Sequence, residues 1–144
     1  QRLKNRKIIA LEKSFSCEFE GIQIKGVIDR IDSYEDKYEV IDYKTSATLS
    51  VDTLKNYDKT DDFQLEFYYL AMSEMYKTDK IEAYYYDLNN TQLINEIALD
   101  KKLELLCEKF NELKEISKNE ISFSKCEDKS NCTYCAYSII CDRE

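Results

Sequence analysis

The chain contains no histidine, so any step that needs an imidazole base or ligand must draw it from outside these residues. Proline is absent and glycine occurs only twice, which leaves the turns to Asn, Asp and Ser. No segment is long and apolar enough to span a membrane, and there is no signal-peptide pattern. With Gln1 rather than methionine first, the chain reads as a piece of a longer cytoplasmic protein. Positive charge is also scarce: 21 Lys and Arg against 29 Asp and Glu give a formal charge of −8. That balance repels nucleic acid at long range and argues against a free-standing DNA binder. It does not exclude a catalytic piece carried by a larger machine that tracks along DNA.

What is present suits one domain. At 144 residues the chain can bury a single core, and residues 1–144 are expected to form one domain with a cysteine-rich tail over 126–141. Six cysteines without a secretory signal favour metal or thiol chemistry over a disulfide framework.

The most informative stretch is 26–44, where Gly-Val-Ile-Asp-Arg-Ile-Asp and Tyr-Glu-Val-Ile-Asp-Tyr-Lys flank an acidic turn. Both halves alternate apolar and polar residues around Val and Ile, the pattern of two short strands. A loop centred on Glu35 and Asp36 sets Tyr34 opposite Lys37, and counting outward sets Asp29 opposite Asp42. Opposed residues share a sheet face, and Lys44, two beyond Asp42, points to the same side. The hairpin thus gathers two carboxylates and one ammonium. Opposed like charges destabilise a sheet, and a divalent cation would offset that repulsion. Two carboxylates are the usual protein share of a magnesium site, with waters and phosphate oxygens filling the rest. Lys44 would then steady a hydroxide or the charge developing on a phosphoryl group. The alternative is a surface hairpin in which Lys44 merely neutralises two acids.

Around the hairpin, residues 8–20 and 22–32 read as strands, after a basic opening at 2–7. Residues 45–60 read as loop or frayed helix. A helix from Asp61 to about Lys77 carries aromatic and Met residues over most of its circumference, so it is expected to be largely buried against a sheet. Gln64 and Tyr68, four apart, share one of its faces. Two further strands, 81–88 and 93–99, flank Asn89-Asn90-Thr91, which suits a hairpin because Asn tolerates positive φ. Asp100 is placed to cap a second helix to about Ser117, with Leu103, Leu106, Cys107 and Phe110 as its apolar stripe and Cys107 as a small core residue. The expected class is α+β: a mixed β-sheet with flanking helices and a Cys-rich tail.

That tail holds Cys126, Cys132, Cys135 and Cys141 within sixteen residues, two of them as Cys-x-x-Cys. Such crowding signals a metal, and zinc and a [4Fe–4S] cluster both take four thiolates.

Taken in order, Gly26-x-Ile28-Asp29-Arg30-Ile31-Asp32, Val40-Ile41-Asp42-Tyr43-Lys44-Thr45, Gln64-x3-Tyr68 and Cys132-x2-Cys135-x5-Cys141 resemble the PD-(D/E)XK nucleases. The likeness is greatest to the RecB-type domain at the C-terminus of AddB-like helicase–nuclease subunits, and it covers about 12–141. The resemblance implies a restriction-endonuclease-like core and Mg2+- or Mn2+-dependent cleavage of DNA. Asp29, Asp42 and the Tyr43 carbonyl would be the metal ligands, and Lys44 would orient and activate the water. Gln64 and Tyr68 would flank the site and contact DNA. Cys132, Cys135 and Cys141 would be three of the four [4Fe–4S] ligands. The implied partner is an AddA-like helicase–nuclease subunit acting in double-strand break processing. In such relatives an upstream histidine completes the metal site and the first cluster cysteine also lies upstream. Neither is in this chain, and Cys126 stands outside the pattern. The competing reading is a structural module with a zinc- or cluster-binding tail and an idle nuclease site.

Overall fold

Alternating side chains and turns without proline fold the first half of the chain into a meander. In a computed structural model, which describes residues 6–119 and 125–142, β1 (Arg6–Phe19), β2 (Ile22–Tyr34) and β3 (Lys37–Lys44) are joined by tight turns. Residues 2–5 of the basic opening lie outside the described residues. The first turn uses Glu20 and Gly21, both at positive φ, and the second bends at Glu35 with φ of 57°. A segment over 45–63 leads to α1 (Gln64–Tyr76). There follow β4 (Ile81–Asp87), β5 (Gln92–Asn95) and α2 (Leu99–Asn119).

The strands form one mixed sheet in the order β1-β2-β3-β4-β5. Neighbours are antiparallel except β3 and β4, which run parallel because α1 carries the chain across between them. Among the described residues, five strands and two α-helices make the class α+β, as expected. The core lies where Ile28, Ile31, Val40, Ala83 and Tyr85 meet Leu65, Tyr68, Ala71 and Met72 of α1. Leu106 and Phe110 of α2 join it, with Phe110 packed on the rings of Phe19 and Phe67. The chain divides into two compact units, residues 1–111 and 112–144. The second contains the tail, where a 3-10 turn covers Lys129–Cys132.

Several boundaries differ from the sequence reading for identifiable reasons. Helix α1 begins at Gln64 rather than Asp61, because the Asp62 carboxylate accepts the Gln64 N–H at 2.9 Å and ends the loop there. Strand β5 stops at Asn95, since Glu96 turns inward and its carboxylate accepts the Ala98 N–H at 3.0 Å. Helix α2 thus starts at Leu99, with Asp100 in its first turn rather than as its cap. In the β4–β5 turn the positive φ falls on Thr91, not on an asparagine. Asp87 organises that turn by accepting both the Asn89 and Asn90 N–H groups. Cys107 is only partly buried, on the edge of the α2 stripe rather than in the core.

Candidate active site

The β2–β3 register is the one counted from the turn: Tyr34 faces Lys37 and the last ladder pair is Arg30 with Ile41. The ladder stops one pair short of Asp29 and Asp42. Instead of a backbone carbonyl, the Asp29 carboxylate accepts the Tyr43 N–H at 3.0 Å. This pins the acid beside β3, where its charge bears on the Asp42 carboxyl. On the opposite face, Arg30 makes two bonds of 2.8 Å to Asp32 and reaches the Tyr43 hydroxyl at 3.4 Å. The residues next to each acid in sequence therefore brace the hairpin from behind.

Asp42 is 2 % exposed, and its pKa is pushed up to about 6. Burial is the main cause; Lys44 pulls it back, while the charge and hydrogen bond of Asp29 push it further up. Its Oδ2 lies 2.9 Å from Lys44 Nζ, yet no atom gives that oxygen a well-directed hydrogen bond. It is held by charge, with capacity to spare for another cation. Lys44 is the hub of the cluster. Its ammonium donates to Gln64 Oε1 at 2.9 Å, contacts Asp62 at 3.4 Å and lies 5.3 Å above the Tyr85 ring. Burial alone would lower its pKa, but Asp42 and Asp62 outweigh that and hold it above the ordinary lysine value. It is therefore an ammonium at neutral pH.

Gln64 continues the chain of bonds, its amide N–H donating to the Tyr68 hydroxyl at 2.9 Å. The spacing on one face of α1 sets this up, since residues four apart stack along the helix. Burial pushes the Tyr68 phenol up to about 12, against the opposing hydrogen bond from Gln64. It stays neutral and can serve only as a hydrogen-bonding group. Where the chain leaves Lys44, the Leu88 N–H bonds to the Lys44 carbonyl and the Asn89 amide spans the carbonyls of Thr45 and Ser46. The β4–β5 turn thereby fixes the exit of β3.

Asp29, Asp42, Lys44, Gln64 and Tyr68 are thus one connected group at the end of β3. Asp62 and Tyr85 belong to it too, though the sequence reading singled out neither. Asp62 could have been found as the acidic residue just before a helix start; Tyr85 carries only the signal of a buried strand aromatic. Two acids, one of them buried with an under-satisfied oxygen, fit the protein share of a hard divalent cation. The tail differs. Among the described residues no group of three or more Cys, Asp or Glu side chains is placed to hold a metal ion, and the tail thiols are no exception. Cys126 Sγ instead makes local contacts of 3.6 Å with the Asp128 carbonyl and the Asn131 amide. As they stand, Cys132, Cys135 and Cys141 do not form a ligand set with it.

Comparison with known proteins adds a family. A family model described as the PD-(D/E)XK nuclease superfamily matches residues 1–142. No curated protein sequence matches the chain. Among solved structures, one titled "Crystal structure of SSO0001" is similar at 21 % identity with a TM-score of 0.44, over 93 % of this chain. The chain spans 60 % of that protein's length.

Proposed function

The chain belongs to the PD-(D/E)XK nuclease superfamily, and from that premise we propose that it hydrolyses DNA phosphodiesters with a divalent metal at Asp29 and Asp42. The observation that supports this most is the position of Lys44 Nζ, 2.9 Å from Asp42 Oδ2 and bonded to Gln64, with the Asp29 carboxylate pinned nearby on the Tyr43 N–H.

In this reading Asp29 and Asp42 would hold Mg2+ or Mn2+, and by the resemblance the Tyr43 carbonyl would be a further ligand. When bound, the metal supplies a more acidic water and positive charge at the scissile phosphate. Lys44 is held between Asp42, Asp62 and Gln64. It donates a hydrogen bond that aims the attacking oxygen and faces the charge that grows on the phosphate. Gln64 fixes the direction of that donor, and Tyr68 fixes Gln64. The resemblance puts DNA contact at this pair; Tyr68 is 4 % exposed, so that contact falls to Gln64.

The proposal extends to the setting. The resemblance stated for the sequence supports an exonuclease domain paired with an AddA-like helicase–nuclease subunit in double-strand break repair, in the cytoplasm. No helix among the described residues is long and apolar enough to cross a membrane. The same resemblance supports a [4Fe–4S] cluster held by Cys132, Cys135 and Cys141 and completed from elsewhere in the protein.

The test is a cleavage assay on linear DNA with Mg2+ or Mn2+. Asp42→Ala and Lys44→Ala should each lower cleavage by about 10³-fold or more, the scale for losing a metal ligand or a charged transition-state donor. Circular dichroism spectra should match the wild type. Cleavage that survives either change, or that proceeds in chelator, would refute the assignment.

A further inference from the structure

One charged group in the first unit takes no part in the chemistry above and yet is wholly buried. Lys102, in the first turns of α2, has no solvent exposure. Its ammonium lies 3.2 Å from Glu96, 3.4 Å from Glu66 and 3.4 Å from Asp52. These acids come from three different places: the β5–α2 connection, α1, and the 45–63 segment after β3. Glu66 is itself fully buried, and among the described residues neither of its carboxylate oxygens has a well-formed hydrogen bond. A lone ammonium therefore serves two buried acids and a partly exposed one. A buried lysine is costly, and hydrophobic replacement of such clusters often stabilises a fold. The geometry explains what this one accomplishes.

Two of the three tethered elements carry site residues. Glu66 lies on α1 between Gln64 and Tyr68, so its anchor sets the rotation and height of the helix turn that bears them. Asp52 lies in the segment that begins immediately after Lys44 and ends at Asp62, whose carboxylate contacts Lys44. Leu49 and Val51 pack against the core beside it. Tyr85, over whose ring Lys44 Nζ lies, feels the charges of Asp62, Glu96, Glu66 and Asp42. We propose that Lys102 is a positioning residue: its buried ammonium ties α1, the 45–63 segment and the β5–α2 connection together, and so holds Gln64, Tyr68 and Asp62 around Lys44. The proposal rests on the nuclease reading for its consequence, though not for the tie itself.

Asp52→Asn tests one arm of the tie gently, since Asp52 is partly exposed and the Lys102–Glu96 pair stays intact. Lys102→Met combined with Glu66→Gln removes the hub without stranding Glu66. For Asp52→Asn, the melting temperature should stay near that of the full wild-type chain. Amide hydrogen exchange over 45–63 should speed up by about tenfold. At saturating DNA, kcat should fall about three- to tenfold with KM unchanged, as expected for a misplaced donor. Mn2+ titrated alone should bind as before, because Asp29 and Asp42 are untouched. The double variant, assayed below its own melting temperature, should show the same pattern with kcat down by about a hundredfold. Wild-type exchange over 45–63 in Asp52→Asn would overturn the proposal. So would faster exchange with wild-type kcat, or a double variant altered only in melting temperature. If the full-length wild-type protein does not cleave DNA, the nuclease reading fails, and exchange then judges the tie alone: unchanged rates overturn it.

Discussion

Single residues at this site act through what they exclude as much as through what they bind. Asp29, Asp42 and Lys44 were legible because the hairpin register needs only a turn position and counting by twos. What counting misses is that strands β2 and β3 part at this point, so that Asp29 bonds the Tyr43 N–H with its side chain. Asp62 and Tyr85 were missed because a loop acid and a strand aromatic look the same in sequence wherever they point. Gly26 shows a different constraint, one that the resemblance marks and packing explains. A Cβ built there would come within 2.8 Å of the Phe15 ring, which lies across the glycine and meets the Tyr68 ring edge-on. Gly26→Ala should therefore push Phe15 toward Tyr68 and destabilise the fold by about 1–3 kcal/mol, the usual cost of overpacking. Phe15→Leu should relieve part of that cost, so urea denaturation of both single variants and the double should show non-additivity. Additive losses would mean that the two side chains do not compete for one space.

At the scale of elements, strands and helices were largely legible, because their periodicities differ and the turn residues punctuate them. The errors fall where a side chain recaptures the backbone, as Asp62 does before α1 and Glu96 does before α2. Helix patterning also hid Lys102 and Glu66, since charged residues on a helix normally read as its solvent face. Their burial has a measurable electrostatic consequence. Glu66 has its pKa raised to about 7, chiefly by burial; Lys102 pulls it down and Glu96 pushes it up. A carboxyl whose native pKa exceeds its unfolded value binds its proton more tightly when folded. Its contribution to stability is whole below the ordinary value of 4.5 and is lost as pH rises through about 7. Stability should accordingly decline over that window by at most about 3 kcal/mol from this group, at 1.36 kcal/mol per pKa unit. In Glu66→Gln the decline should flatten. Thermal melts from pH 4.5 to 8 compare the two, and equal slopes would show that Glu66 does not titrate in this range.

At the scale of the molecule, the division into residues 1–111 and 112–144 separates a hydrophobically cored sheet from a segment held by turns. The first unit buries its apolar residues in one cluster. In the tail, Tyr134, Tyr137, Ile139 and Ile140 are all exposed, and successive N–H to carbonyl bonds such as Cys135 to Cys132 and Cys141 to Tyr137 supply its order. A segment with so little buried apolar surface needs another source of stability, and in small cysteine-rich segments metal binding supplies it. The sequence showed the thiols and their spacing, but spacing cannot say whether they converge, and among the described residues they do not. Metal binding at the tail would therefore have to reorganise it, drawing in Cys132, Cys135 and Cys141 and leaving Cys126 with its local partners. This leads to a prediction with distinct outcomes. Full-length protein purified anaerobically from iron-replete cells should be brown, and in it Cys135→Ser should be colourless while Cys126→Ser keeps its colour. In metal-free protein the four tail thiols should react quickly with a thiol reagent while buried Cys17 is slow, and loading should protect three of the four. Colourless wild-type protein holding one zinc would replace the cluster with a zinc clamp. Loss of colour in Cys126→Ser would show that the local loop, rather than a ligand from elsewhere in the protein, closes the site.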